Sequence, residues 1–143
     1  MDCDLCAIEK ILSPNDLGSN GSHQAGMLIP KRKEVLSFFP KLDESQTNPR
    51  ISLSFKEKDG GAWTFKLIYY NNKLRGGTRN EYRLTGMTEF FRRSNLKAGD
   101  ILILRHDDEY QILYTRSSET LSAIADDGII RLRLNSEWHI INF

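Results

Sequence analysis

Short apolar runs, each about the length of one strand, recur along the chain between polar turns. "ISLSF" (51–55) and "WTFKLIYY" (63–70) are rich in β-branched and aromatic residues. They flank "KEKDGGA", whose Asp59-Gly60 pair suits the positive φ of a tight hairpin, so the two runs are expected to pair antiparallel. "DILILRH" (100–106) and "YQILYTR" (110–116) bracket the polar turn Asp107-Asp108-Glu109, and "GIIRLRL" (128–134) and "EWHIINF" (137–143) bracket Asn135-Ser136 in the same manner. "AGMLIP" (25–30) reads as one more apolar strand. Helical patterns are few and short. "PKRKEVLSFF" (30–39) begins with Pro30 and gathers Val35, Leu36, Phe38 and Phe39 on an apolar side; "TEFFRRSN" (88–95) offers Thr88 as a cap ahead of Phe90 and Phe91; "SETLSAIADD" (118–127) turns Leu121 and Ile124 inward. Six or more strands with a few capping helices predict a mainly β, barrel-like α+β fold. Residues 41–50 form a polar loop, and no repeat or linker divides the chain, so 1–143 is expected to be a single domain.

Composition narrows this picture only slightly. With 39% hydrophobic residues, 143 residues suffice for one core without disulfides. A formal net charge of +1 gives no global basic signature, so a polyanion would have to be met by a local patch. No apolar run approaches a membrane span, and the start "MDCDLCAIEK" is acidic rather than basic, so no membrane role is expected and a cytoplasmic location is. Cys3 and Cys6 form a CxxC, half of a zinc site, but no second pair follows and His23, His106 and His139 are far apart in sequence. They read as two reduced thiols on a mobile or helical N-terminus, with no metal.

Catalytic motifs are sought without success. A metal-dependent nuclease of the common kind places one acid ahead of an acid-x-lysine triplet on a strand, whereas "KEK" (56–58) sits at a hairpin. No His-x-Lys dipeptide spacing, G-x-S-x-G elbow or GxxxxGK[ST] phosphate loop occurs.

Two polar stretches remain. Residues 73–83 carry Lys73, Arg75, Arg79 and Arg83 against Glu81, a local net charge of +3, interleaved with Thr78, Asn80 and Tyr82. Guanidinium forks and amides pair with base edges, lysine, threonine and tyrosine suit phosphates, and a carboxylate can accept from cytosine or hold an arginine in place. The plainer reading is a solvated hairpin. Residues 13–30 hold Ser13, Asn15, Asp16, Ser19, Asn20, Ser22, His23 and Gln24 in a glycine-rich loop before the apolar strand. Short donors and acceptors of this sort suit a groove-contacting loop, or simply an ordinary surface loop.

Together the two stretches resemble the N-terminal, target-binding effector domain of the EcoRII-type restriction endonucleases. "NDLGSNGSHQAGMLIP" and "IYYNNKLRGGTRNEYRLT" carry NDxG, HQxGxxIP, IYYN and TRNExRxT elements in the same order. "FFRRSNLKAGDILILRHDDEYQILYTR" also resembles the plant B-three transcription-factor domain, and the likeness spans roughly residues 13–116. The resemblance implies a DNA-binding pseudobarrel of about seven strands whose two arms grip the major groove, an N-arm at 13–24 and a C-arm at 73–83. It implies that His23, Gln24, Arg79, Asn80, Glu81 and Arg83 read bases or shape the arms, with Lys73 and Arg75 on phosphates. Tyr82 departs from the family, which has a basic residue there. The implied partner is double-stranded DNA carrying a short, near-palindromic site related to 5′-CCWGG. The implied nuclease is a separate domain or subunit, which alone would use Mg2+; no cofactor is expected for this domain. Residues 117–143 are expected to close the fold, with Arg131 and Arg133 structural. The alternative is a complete small metal-dependent nuclease.

Overall fold

The first hairpin forms where the alternation places it. In the computed structural model, which describes residues 6–18, 26–116 and 138–141, β3 (Arg50–Lys56) and β4 (Ala62–Tyr70) pair antiparallel from Arg50↔Ile68 to Lys56↔Ala62. Leu53, Phe55, Phe65 and Leu67 point to the core, while Arg50, Ser52, Ser54, Thr64 and Lys66 point outward. Gly60, at φ 98°, supplies the turn geometry that other residues rarely adopt. The second expected hairpin is also present, as β6 (Ile101–His106) and β7 (Tyr110–Thr115).

Three further strands complete one curled sheet with β8 (Trp138–Ile140): β1 (Cys6–Ile11), β2 (Gly26–Ile29) and β5 (Glu81–Thr85). Its order is β2-β5-β4-β3-β7-β6-β1-β8, antiparallel throughout except for the short parallel join of β3 to β7 at Phe55↔Tyr110. The fold is therefore mostly β, a half-barrel of eight strands among the described residues where about seven were expected. The two edge strands approach each other through side chains. The Trp138 indole on β8 donates to the Leu28 carbonyl on β2 at 3.0 Å, and the Arg32 guanidinium donates to the Trp138 carbonyl at 3.3 Å. Phe55, Phe65, Leu67, Leu84, Met27 and Leu102 fill the interior, with Phe90 packed edge-on against Phe65 at 5.8 Å.

Some expectations change. The N-terminal segment is not mobile or helical from Cys6 onward: β1 is an inner strand between β6 and β8. α1 (Lys33–Leu36) is one turn rather than the ten residues of its pattern, because Lys31 and Arg32 are drawn into contacts with distant strands and Pro40 disfavours helix at residue 39. α2 (Thr88–Arg93) starts at Thr88, with Met87 in the cap position instead of Thr88. The expected helix at 118–127, the strand at 128–134, its turn at Asn135-Ser136 and Arg131 and Arg133 lie outside the described residues. Among the described residues no helix is long and apolar enough to cross a membrane, and no group of His, Cys, Asp or Glu is arranged to hold a metal.

Candidate nucleic-acid interface

Strand register fixes where the two polar stretches emerge. β2 and β5 pair from Gly26↔Thr85 to Ile29↔Tyr82. Segment 13–24 leads into β2 at the Gly26 end, and segment 73–83 leads into β5 at the Glu81 end. The two segments thus join opposite ends of one strand pair, separated by the four residue steps from Thr85 to Glu81 or about 13 Å, comparable with the roughly 12 Å width of a DNA major groove. At the Gly26 end the backbones come close: a Cβ on Gly26 would lie 3.0 Å from the Leu84 carbonyl oxygen.

Period-two alternation on β5 sorts the C-arm residues. Tyr82 and Leu84 are buried, while Glu81, Arg83 and Thr85 share the outer face. Glu81 Oε1 accepts from Arg79 at 2.6 and 3.1 Å and lies 3.4 Å from Arg83 Nε. The Arg79 guanidinium lies 3.7 Å from the centroid of the Tyr70 ring, a cation–π contact. Partial burial of Glu81 opposes ionisation, but the two guanidiniums outweigh it and hold the carboxyl below its ordinary range. Glu81 therefore stays charged and holds both guanidiniums at one carboxylate oxygen. Arg83 Nε is buried without a hydrogen-bond partner.

The loop behind this row is held at both ends. Buried Asn71 donates to the Gln46 carbonyl at 2.7 Å, accepts from the Asn48 amide at 2.8 Å, and donates its own amide to the Asn48 side chain at 3.2 Å. A 3-10 turn, Asn72–Arg75, then brings the chain back, with the Asn72 side chain accepting from the Arg79 amide at 2.8 Å and the Lys73 amide donating to the Arg79 carbonyl at 2.8 Å. Gly76 closes the turn at φ 90°. Gly77 packs against Asn72 so tightly that a Cβ would lie 2.7 Å from Asn72 Cγ and 2.9 Å from its carbonyl oxygen. Gly77→Ala is accordingly expected to displace the 72–79 turn and, if this segment is a DNA-contacting arm, to weaken DNA binding at least several-fold while leaving the thermal midpoint nearly unchanged. Titration beside a melting curve checks this, and unchanged affinity would show that the path of the arm does not matter.

The remaining expected residues divide. Lys73 and Thr78 are exposed; Arg75 ends the 3-10 turn, and its side chain lies outside the described part. Asn80 is exposed and accepts from the Tyr69 hydroxyl at 2.7 Å and from Lys31. Two of the expected residues are buried. Tyr82 stacks on Tyr69 at 4.2 Å beneath the arm and donates to Glu44 at 3.2 Å; burial, aided by Glu44, pushes its hydroxyl up to about 12, so it remains a donor. Asp16 is buried in an ion pair with Lys10 and accepts from the Ser13 amide at 2.9 Å, while Ser13 Oγ accepts from the Asp16 amide at 3.2 Å. It ties the start of segment 13–24 to β1 through Lys10. Asn15 is exposed beside it, and Ser19, Asn20, Ser22, His23 and Gln24 lie outside the described residues. Sequence reading missed Lys31 and Tyr70, which reach the arm from β2's far end and from β4.

The family model for the N-terminal domain of restriction endonuclease EcoRII matches residues 3–112. The type II restriction enzyme EcoRII of Escherichia coli is 37% identical over 83 residues, covering 56% of this chain and 20% of that protein. Auxin response factor 3 of Oryza sativa subsp. japonica is 32% identical over 151 residues, covering 92% of this chain and 19% of that protein. The chain thus spans about a fifth of the length of these relatives. Among solved structures, the Arabidopsis FUS3-DNA complex matches with a TM-score of 0.58 and 25% identity, over 76% of this chain and 95% of that chain.

Proposed function

Since the chain belongs to the family of EcoRII N-terminal domains, we propose that it is the double-stranded-DNA-binding effector domain of a type II restriction endonuclease. It reads a short, near-palindromic site related to 5′-CCWGG with two arms in the major groove. The nuclease and its Mg2+ belong to another part of the full-length protein or to a partner subunit, in the prokaryotic cytosol, and this domain performs no catalysis. The observation that carries the reading is the Arg79–Glu81–Arg83 cluster, where Arg79 at the end of the 73–83 segment and Arg83 on the outer face of β5 meet Glu81. Such a cluster offers charge-assisted donors suited to base edges, and a carboxylate can accept from a cytosine amino group.

The direct test is a mobility-shift titration of a duplex bearing the site, with and without magnesium, beside a plasmid-nicking assay. Binding in both conditions with intact plasmid is expected. Magnesium-dependent nicking by nuclease-free material would instead establish the small-nuclease alternative. A second expectation concerns salt. Exposed Lys73 is placed on a phosphate, so Lys73→Ala should weaken all sequences alike and flatten the plot of log K against log[salt] by about one unit. An unchanged slope would put the phosphate contact elsewhere.

A further inference from the structure

The outer face of the four strands β2-β5-β4-β3 extends well beyond the arms, and its charge is one-sided. Directly paired residues share a face, so the register Leu28↔Arg83↔Ile68↔Arg50 sets Arg83 and Arg50 on one row with Ile68 buried between them. The next row, at the N-arm end, runs Gly26↔Thr85↔Lys66↔Ser52. Lys66, Ser52 and Arg50 are exposed. Among the described outward residues of these strands the one carboxylate is Glu81, already shared by Arg79 and Arg83, while Lys56 at the far edge is paired with Glu109 at 2.9 Å. A chain of net charge +1 thus concentrates cations on this face.

An open groove marks the Lys66 row. Ser52, Thr64, Lys66, Thr85 and Thr88 line it, and Phe65, Gly86 and Glu89 complete the lining. The groove therefore offers hydroxyls around one ammonium. Glu89 is engaged by Arg92 at 2.6 Å and Arg93 at 3.3 Å, and the Arg92 hydrogen bond holds it below its usual range, so its charge is balanced within α2. Hydroxyls around a lysine, with a neighbouring arginine and the Phe65 ring buried in the core rather than open to the groove, suit phosphate oxygens and sugar edges rather than bases.

We propose that this groove, with Arg50 on the adjoining row, is a second and sequence-independent contact surface for the sugar–phosphate backbone of the duplex that flanks the site held between the arms. The inference rests on the DNA-binding reading above and extends it. It assigns Lys66 and Arg50 to phosphates outside the recognised base pairs, so that affinity depends on duplex length while base preference does not.

The test compares the 143-residue chain with an R50Q/K66Q variant, both positions being exposed so that folding is retained and is checked by circular dichroism. Each is titrated with the site centred in duplexes of about one and about two helical turns, ~10 and ~20 base pairs. The unaltered chain should gain on the order of tenfold from the longer duplex, and the variant should lose that gain, with a salt slope shallower by about 1.8 units for two phosphates. Its discrimination between site and non-site should be unchanged, and Lys97→Gln, on a different surface, should behave as the unaltered chain. Equal length dependence and equal slopes in the variant, with specificity intact, would overturn the groove assignment alone. Saturable binding of inorganic phosphate that Lys66→Gln abolishes would overturn it in favour of a small-anion site. Failure of the unaltered chain to bind any duplex would overturn the arm reading and this inference with it.

Discussion

Arg83→Ala, and separately Arg79→Ala, should lower affinity for the cognate duplex by about ten- to a hundredfold while changing non-specific affinity far less. One bidentate guanidinium contact to a base is worth about 1–3 kcal/mol of discrimination, whereas one lost phosphate contact weakens all sequences alike. The structure adds a reason for the two arginines to act together. Both meet the same Glu81 oxygen, so removing either changes the charge that holds the other and couples the two. Glu81→Gln should therefore lose specificity as well, and the double substitution R79A/R83A should cost less than the product of the single losses. Competition titrations against single-base variants of the site, with folding checked by circular dichroism, measure this. Folded variants that keep the full specificity ratio would reduce residues 76–85 to a solvated hairpin.

The second large effect is on stability. Trp138→Ala should destabilise the chain by about 3–5 kcal/mol, the usual cost of emptying a large buried aromatic site. Trp138 is 2% exposed and its indole donates across the gap between the sheet's edge strands to the Leu28 carbonyl at 3.0 Å. Trp138→Phe, which keeps most of the ring but not the donor, should cost about 1–3 kcal/mol by leaving that contact unmade. Denaturant midpoints at constant m-value measure both. A midpoint unmoved by Trp138→Ala would mean that the half-barrel does not depend on β8 to close.

The hairpins β3–β4 and β6–β7 were legible because each strand is a short run rich in β-branched, aromatic and aliphatic residues and the turns carry Asp-Gly or acidic signals. β1 was not. "CAIEKI" places Glu9 and Lys10 in the middle of an inner strand, and Lys10 is buried only because Asp16, six residues on, neutralises it. No periodicity announces such a pair. β5 was hidden for a related reason: "EYRLT" buries only Tyr82 and Leu84, and its charged positions drew it into the reading of the arm. The parallel join of β3 to β7 spans 55 to 110 and leaves no local trace.

The candidate site divides in the same way. Arginines, glutamate and glycines of the C-arm stood out by composition and order, and register brings Glu81 and Arg83 to one face. The burial of Asp16 and Tyr82 left no trace, since Asp16 is one more polar residue of its loop and Tyr82 sits among the charged residues of β5. Lys31 and Tyr70 were invisible for the opposite reason, since Lys31 meets Asn80 across 49 positions and Tyr70 reads as one more aromatic of its strand.

The central claim, that this domain selects a DNA sequence through its arms, is tested most directly by selection of the purified chain against a duplex library with a randomised core. The account predicts enrichment over successive rounds of one short, near-palindromic motif related to CCWGG, with or without magnesium. A recovered pool as random as the input, from protein shown to be folded and to retain the duplex, would contradict it.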